Sequence, residues 1–210
     1  MIKKIAVIVI LGIIGTPIHL FGKVQKQETT INYKKYIDQI DKFFNSIKTL
    51  KADFIEINKY GKQSSGIFAL KKHPAMLKMD YINPATKIVI VKNNKLIYYD
   101  KELKEKTKTS LYSSPLAFIA DSEINLNKSL KVISCAEKDN NLVIAVRKKD
   151  DPEEEYGIVV LTFSQKPFSL IKWEIFPKSD LIDTTPLVQL YLQNQVINKN
   201  LSDKEFFGYD

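Results

Sequence analysis

The chain is short of the residues on which most protein chemistry relies. Cys135 is its only cysteine, so no disulfide can form within it. It has two histidines, His19 and His73, and a zinc site built from His and Cys is close to excluded. A Ser-His-acid triad would have to use His73, which stands between Lys72 and Pro74, and no G-x-S-x-G surrounds any serine. With seven glycines there is no Gly-rich phosphate loop. The acidic run "DDPEEE", Asp150 to Glu155, lacks the Asp-x-Asp-x-Asp-Gly order of a calcium loop; Pro152 in its middle marks a solvated hairpin tip instead. Arginine is nearly absent: Arg147 is the single one among 32 basic residues. The formal charge of +8 therefore sits on lysine. Bidentate reading of phosphates and bases favours arginine, so a nucleic-acid partner is not expected, while weak attraction to an anionic membrane surface stays open. No metal, cofactor or catalytic constellation is indicated. Acid pairs such as Asp80 with Glu56 are the one remaining route to an enzyme, and the chain is otherwise read as a binding protein.

What is present begins at the N-terminus. "MIKKIAVIVILGIIGTPIHLFGK" has a basic start at Lys3-Lys4, an apolar run from Ile5 to Ile14, and a small residue at Gly22. This is the grammar of a secretory signal peptide over residues 1–22, with an uncleaved anchor as the alternative. Its removal takes Lys3, Lys4 and His19 and no acid, leaving a charge of +6 and one histidine, His73. Residues 23–210 then form a single domain, since no repeat or low-complexity linker divides them.

In "TINYKKYIDQIDKFFNSIKTL", Tyr33, Ile37, Ile40, Phe44 and Ile47 recur at steps of three and four, the stripe of an amphipathic helix. Tyr36, Phe43 and Leu50 widen it, and Thr30 suits its N-cap. Most of the remainder reads as about ten or eleven short strands in a simple antiparallel meander, with turns such as Asn93-Asn94 and a polar edge strand "EKTKTS". One insertion interrupts it. "SLYSSPLAFIADSEI" places Pro115 at a helix start, followed by Leu116, Phe118, Ile119 and Ala120, a short apolar helix that is either a plug or a lid.

The strands have faces. Leu77, Met79 and Tyr81 oppose Lys78 and Asp80; Ile171, Trp173 and Ile175 oppose Lys172 and Glu174; Ala52 and Phe54 share a side. A sheet with one apolar face must cover it, and a twisted meander of this length curls. The fold class that follows is α+β, mainly β: an unclosed antiparallel β-barrel whose concave apolar face is covered by helices. Its interior is either a filled core or a pocket for an apolar ligand.

The ordered series "LKADFIEI", "GIFALKKHPAMLKMDY", "IVIVKNNKLIYYDKELKEKTKTSL" and "SSPLAFIA", over roughly Ile31 to Ala120, resembles the periplasmic outer-membrane lipoprotein carrier (LolA) family. That family shows "ADF" after its first helix, a "G-x-F-x-L-K-R-P" strand, and a small apolar helix after a hairpin. The ending "NKNLSDKEFFGYD" is similar to the family's as well. The resemblance implies a non-enzymatic periplasmic carrier, expected to be a monomer. It would take the acyl chains of lipoproteins from an inner-membrane ABC transporter to an outer-membrane receptor. Phe54 matches the family's "ADF" phenylalanine, Met79 stands where it usually has Trp, and Tyr98 and Tyr99 match the aromatic end of the hairpin. The expected lipid-facing wall comprises Ile40, Phe44 and Ile47 of the helix; Phe54, Phe68, Leu77, Met79, Ile90, Tyr98, Trp173 and Ile175 of the strands; and Leu116 and Ile119 of the small helix. In the family an arginine before the proline is thought to bond the helical lid. Here the chain reads Leu70-Lys71-Lys72-His73-Pro74, so either Lys72 or His73 stands in for it. A lipid- or lipoprotein-sensing domain of the same architecture, without a shuttle role, is the alternative.

Overall fold

In the computed structural model, which describes residues 33–111, 117–120, 124–149, 157–177 and 185–207, the predicted amphipathic stripe folds as α1, Lys34–Ser46. Its buried face is Ile37, Ile40, Phe43 and Phe44. The helix stops at Ile47, which is extended and closes the last turn by donating its N–H to the Phe44 carbonyl. Leu50, expected at the margin of the helical stripe, belongs instead to the first strand: the helix has already ended three residues earlier. Thr30 and residues 1–22 lie outside the described residues. Contacts divide the chain into Met1–Asn32 and Tyr33–Asp210, and everything described belongs to the second unit.

Eleven strands follow: β1 (Thr49–Asn58), β2 (Gln63–Lys71), β3 (Met76–Asn83), β4 (Lys87–Lys92), β5 (Lys95–Asp100), β6 (Glu105–Ser110), β7 (Leu130–Lys138), β8 (Asn141–Lys148), β9 (Ile158–Gln165), β10 (Phe168–Phe176) and β11 (Val188–Ile197). The turns are made by residues suited to them. Asn93-Asn94 and Asp139-Asn140 all have positive φ, the backbone of a two-residue hairpin turn. The acidic run lies outside the described residues, in the connection between the paired strands β8 and β9.

The sheet order is β6-β5-β4-β3-β2-β1-β11-β10-β9-β8-β7. This departs from a simple meander. Two meanders, β1–β6 and β7–β11, are joined through the antiparallel pairing of β1 with β11, so the first and last strands sit in the middle. The edges are β6 and β7, which do not pair with each other, and the barrel stays open between them. Every residue of β6 is exposed, and its lysines blunt that edge against further pairing.

The sheet is curled. Phe68 on β2 and Trp173 on β10 meet edge to face at 6.0 Å, although three strand spacings of about 4.8 Å separate their strands. Segment 111–129 runs from one free edge to the other, carrying the short helices α2 (Ala117–Ala120) and α3 (Leu126–Ser129). After β11 the chain returns over the outer face, where Leu201 and Phe206 pack on Ala69 and Met76. Lys71 and Lys51 pair there with Asp203 and Glu205.

Candidate functional site: the concave face and its cover

A single apolar cluster fills the concave side. It takes Ile37, Ile40, Phe43, Phe44 and Ile47 from α1 and its C-cap, together with inward residues from β1 to β5 and β7 to β11, and Ile119 and Ala120 from α2. Of the residues expected on the lipid-facing wall, Ile40, Phe44, Ile47, Phe54, Phe68, Leu77, Met79, Ile119 and Trp173 are brought together in it. Ile175 and Tyr98 lie on the same face toward its rim: Ile175 is two residues from Trp173, and Tyr98 pairs with Val89, itself opposite Met79. Leu116 lies outside the described residues.

Ile90 is a correction. It pairs with Lys78 and Ile97, whereas Met79 pairs with Val89, so it points to the outer face. There it packs with Ile88, Ile97 and Tyr99 in a separate cluster. A second correction concerns β10. A bulge between Leu170 and Lys172 absorbs Ile171, and Leu170 takes the inward place expected of it, opposite Phe163. The acid pair Asp80–Glu56 does not form either. Asp80 is on the outer face, with its carboxylate 2.7 Å from the Lys101 ammonium, whereas Glu56 points inward. Among the described residues no group of three or more His, Cys, Asp and Glu is placed to hold a metal ion.

Gly66 makes the wall continuous. It lies between Phe54 and Tyr81 in the sheet, and a Cβ there would come 2.0 Å from the Asp80 carbonyl oxygen and 2.9 Å from the Phe54 ring. With no side chain in the way, Phe54 and Tyr81 meet edge to face at 4.9 Å. Farther along, Phe43 of α1 packs edge-on against Phe163 and Phe168, which are themselves stacked at 5.1 Å.

The two ends of this trough differ. At the end where β1 begins and β2 finishes, here called the upper end, Lys72 is 2 % exposed and donates from Nζ to the Ile119 carbonyl at 2.9 Å. A buried ammonium costs free energy unless polar partners replace its water, so this contact fixes α2 over the sheet. Of the two cations offered by the sequence, Lys72 reaches the small helix and His73 is exposed. Asn45 of α1 accepts from the Ile124 N–H at 2.9 Å and donates to the Ile124 carbonyl at 2.8 Å. Asp41 accepts from the Leu126 N–H at 3.0 Å; burial raises its pKa, and that hydrogen bond works against the rise. These two tethers were not foreseen, because a polar residue on the exposed side of a helical stripe carries no sequence mark of its partner. At the edge, the Tyr36 phenol bonds the Glu137 carboxylate, which raises the tyrosine's pKa. Burial pushes the inward-facing Cys135 thiol up to about 11.

At the lower end the apolar wall gives way to a polar group that was also not anticipated. Tyr81 donates its hydroxyl to Glu56, whose carboxylate lies 3.7 Å from the Lys87 ammonium, and Lys87 sits 4.3 Å over the Tyr81 ring. Burial first, then the Glu56 charge, raises the pKa values of Tyr81 and Tyr98. The trough is thus apolar along its length, roofed above by helices that pack into its apolar cluster and are tied by a few polar contacts, and polar at its lower mouth.

The family model described as "Outer membrane lipoprotein carrier protein LolA" matches residues 45–207. No curated protein matches the chain. Among solved structures, an uncharacterized conserved protein from Thermus thermophilus is similar at a TM-score of 0.50 and 7% identity, over 82% of this chain and 91% of that one. A putative outer membrane lipoprotein-sorting protein domain from Vibrio parahaemolyticus gives 0.49 and 13%, over 83% and 97%. A LolA superfamily protein from Nitrosomonas europaea gives 0.41 and 12%, over 82% and 97%. At 7% identity the likeness to the Thermus thermophilus protein is one of fold alone. Among the described residues no helix is long and apolar enough to cross a membrane.

Proposed function

The chain belongs to the outer-membrane lipoprotein carrier (LolA) family, and from that premise we propose that it binds the acyl chains of lipoproteins on its concave face and carries them through the periplasm. The observation that carries this reading is the construction of the roof. The wall from β5 round to β7 is apolar, and one short segment covers it, buried against it through Ile119, Ala120, Ile124 and Leu126 and tied by side-chain hydrogen bonds at Ile119, Ile124 and Leu126. The cover takes no part in the strand ladders, so its displacement would leave the sheet's hydrogen bonds intact. Burial is worth about 0.8 kcal/mol per CH₂, so a chain of a dozen methylenes gains roughly 10 kcal/mol against water, which offsets the hydrogen bonds and the apolar burial of the cover that it displaces. The apolar groups satisfy one another while the trough is empty, which keeps the empty form soluble and limits how tightly cargo is held. Loading and delivery follow relative affinity, with no covalent step. An inner-membrane ABC transporter would supply cargo and an outer-membrane receptor accept it. The signal-like segment 1–22 supports export.

The test is direct. The purified protein is expected to keep an acylated lipoprotein soluble without detergent and to release it from inner-membrane vesicles. Leu77→Glu, which puts a carboxylate in the middle of the wall, is expected to abolish both while far-UV circular dichroism stays unchanged. Failure of the unmodified protein in both assays rejects the reading. Binding without release from vesicles selects a sensing role over a shuttle.

A further inference from the structure

The lower end of the β1–β6 half carries a second feature that the apolar trough does not explain. Among the described residues, the three most exposed large hydrophobic side chains are Tyr60 at 81 %, Leu103 at 68 % and Ile82 at 57 %. All three stand at this end: Tyr60 in the β1–β2 turn, Ile82 where β3 finishes, and Leu103 in the β5–β6 turn. Leu187, also exposed, joins them, since its carbonyl accepts the Lys59 N–H at 3.0 Å. Exposed apolar groups scattered singly need no explanation, but these gather on neighbouring turns of one rim.

The turns that present them are held firmly. The Asn58 side chain accepts from the N–H groups of Tyr60 and Lys62, both at 3.0 Å. The Asp100 carboxylate accepts from those of Glu102 and Leu103, both at 2.9 Å. Lys101 ties the second turn to β3, donating to the Asp80 carboxylate and to the Tyr81 carbonyl, each at 2.7 Å. Tyr60 and Leu103 are therefore held outward without a large ordering cost on docking. Exposed lysines lie between them: Lys59, whose ammonium is 4.9 Å from the Tyr60 ring, Lys62 and Lys104, against the exposed acids Glu102 and Glu105.

We propose that this rim docks on an anionic lipid bilayer, with Tyr60, Ile82 and Leu103 entering the headgroup layer and Lys59, Lys62 and Lys104 meeting lipid phosphates. Charge complementarity selects the occupant, because amphipathic surfaces that pair apolar and aromatic tips with lysine are suited to membrane interfaces. The spacing of the tips agrees: they stand on separate turns with cations between them, and each can enter a fluid headgroup layer independently. The polar mouth at Glu56, Tyr81 and Lys87 lies beside this rim, so docking would bring the end of the trough to the bilayer. This inference stands on the rim alone and does not require that the trough bind acyl chains.

The experiment uses exported, processed protein without cargo, sedimented with vesicles of phosphatidylethanolamine and phosphatidylglycerol or of phosphatidylcholine alone. Each lysine near an anionic surface contributes a factor of about five, so three set against two acids should favour the anionic vesicles by at least about fivefold. Raising salt from about 0.1 M to about 1 M, which shortens the screening length from about 10 Å to about 3 Å, should remove most of that preference. The triple variant Tyr60→Ser, Ile82→Ser, Leu103→Ser should lose binding by at least about tenfold, with its unfolding midpoint and its uptake of a fluorescent fatty acid unchanged. Undetectable binding by the unmodified protein, equal binding to both vesicle types, or undiminished binding by the triple variant overturns the proposal. So does dimerisation that the triple variant abolishes without any vesicle binding, which would assign the rim to a second copy of the chain.

Discussion

Replacing Lys72 by methionine tests the mechanism at its most exposed point. Methionine keeps an unbranched apolar stem of similar reach but removes the ammonium that meets the Ile119 carbonyl at 2.9 Å. A hydrogen bond from a charged donor contributes about 1.5–3 kcal/mol, and a buried carbonyl left without a donor costs about 1–3 kcal/mol. The closed cover should therefore weaken by a factor of roughly ten to a hundred, at about 1.4 kcal/mol for each tenfold step. If ligand enters only the open form, apparent affinity is reduced by the fraction that is open, and Lys72→Met should lower the Kd for a long-chain fatty acid by the same factor. Trp173 is the only tryptophan and lies on the inner wall, so a fluorescence titration reads the binding. His73→Ala, which alters an exposed neighbour that does not reach α2, should leave the Kd unchanged. An unaltered or weaker affinity in a folded Lys72→Met protein would refute the assignment of this contact as a latch. An equal shift from His73→Ala would refute it too.

Asn45→Ala removes both of its bonds to Ile124 and should raise hydrogen exchange at Ile124 and Leu126 by at least about tenfold, while amides of β1 and β11 keep their protection; unchanged exchange would show that the tether holds nothing. Tyr81 has a folded-state pKa above the ordinary 10.0, so its contribution to stability is complete below that pH and declines as pH rises beyond it. Chemical denaturation from pH 9 upward should therefore show a decline that is shallower in Tyr81→Phe, and parallel curves would contradict the burial of that hydroxyl. Burial lifts the Cys135 thiol from 9.0 to about 11, leaving about a hundredfold less thiolate near pH 8 than in the unfolded chain. Thiol labelling should be slower in native protein by at least that factor, and equal rates would place Cys135 at the surface.

What could be read from the chain follows from how local each signal is. The helix, the turns at Asn93-Asn94 and Asp139-Asn140, and the alternation in "AMLKMDY" are written in consecutive residues, and the structure follows them. In "KIVIV" every inner position is apolar, so alternation cannot choose a face, and only pairing with Lys78 turns Ile90 outward. Counting in twos places Ile171 inward, and a bulge invalidates that count. The β1–β11 seam joins residues more than a hundred positions apart, and no local pattern encodes it. The short apolar helix is marked by "SSPLAFIA" and the cation that meets it by Lys72-His73, but the choice between the two cations depends on which side chain turns inward at a corner. Asn45, Asp41 and the Glu56–Tyr81–Lys87 group escape a sequence reading because each is defined only by its partner across the fold.

The position of that seam bears on how far the molecule can gape. The first and last strands are clasped at the centre, like the spine of a book whose two free margins are β6 and β7. Widening the mouth need not part any strands, because the margins are not bonded to each other. The strap between them is the nineteen residues 111–129, which could reach about 60 Å if drawn out. Chain length therefore places little restraint on the aperture. The stops are the points where the strap is pinned, at Ile119, Ile124 and Leu126. Each of these residues is also buried in the apolar cluster, so freeing any one of them costs a hydrogen bond and apolar contact together.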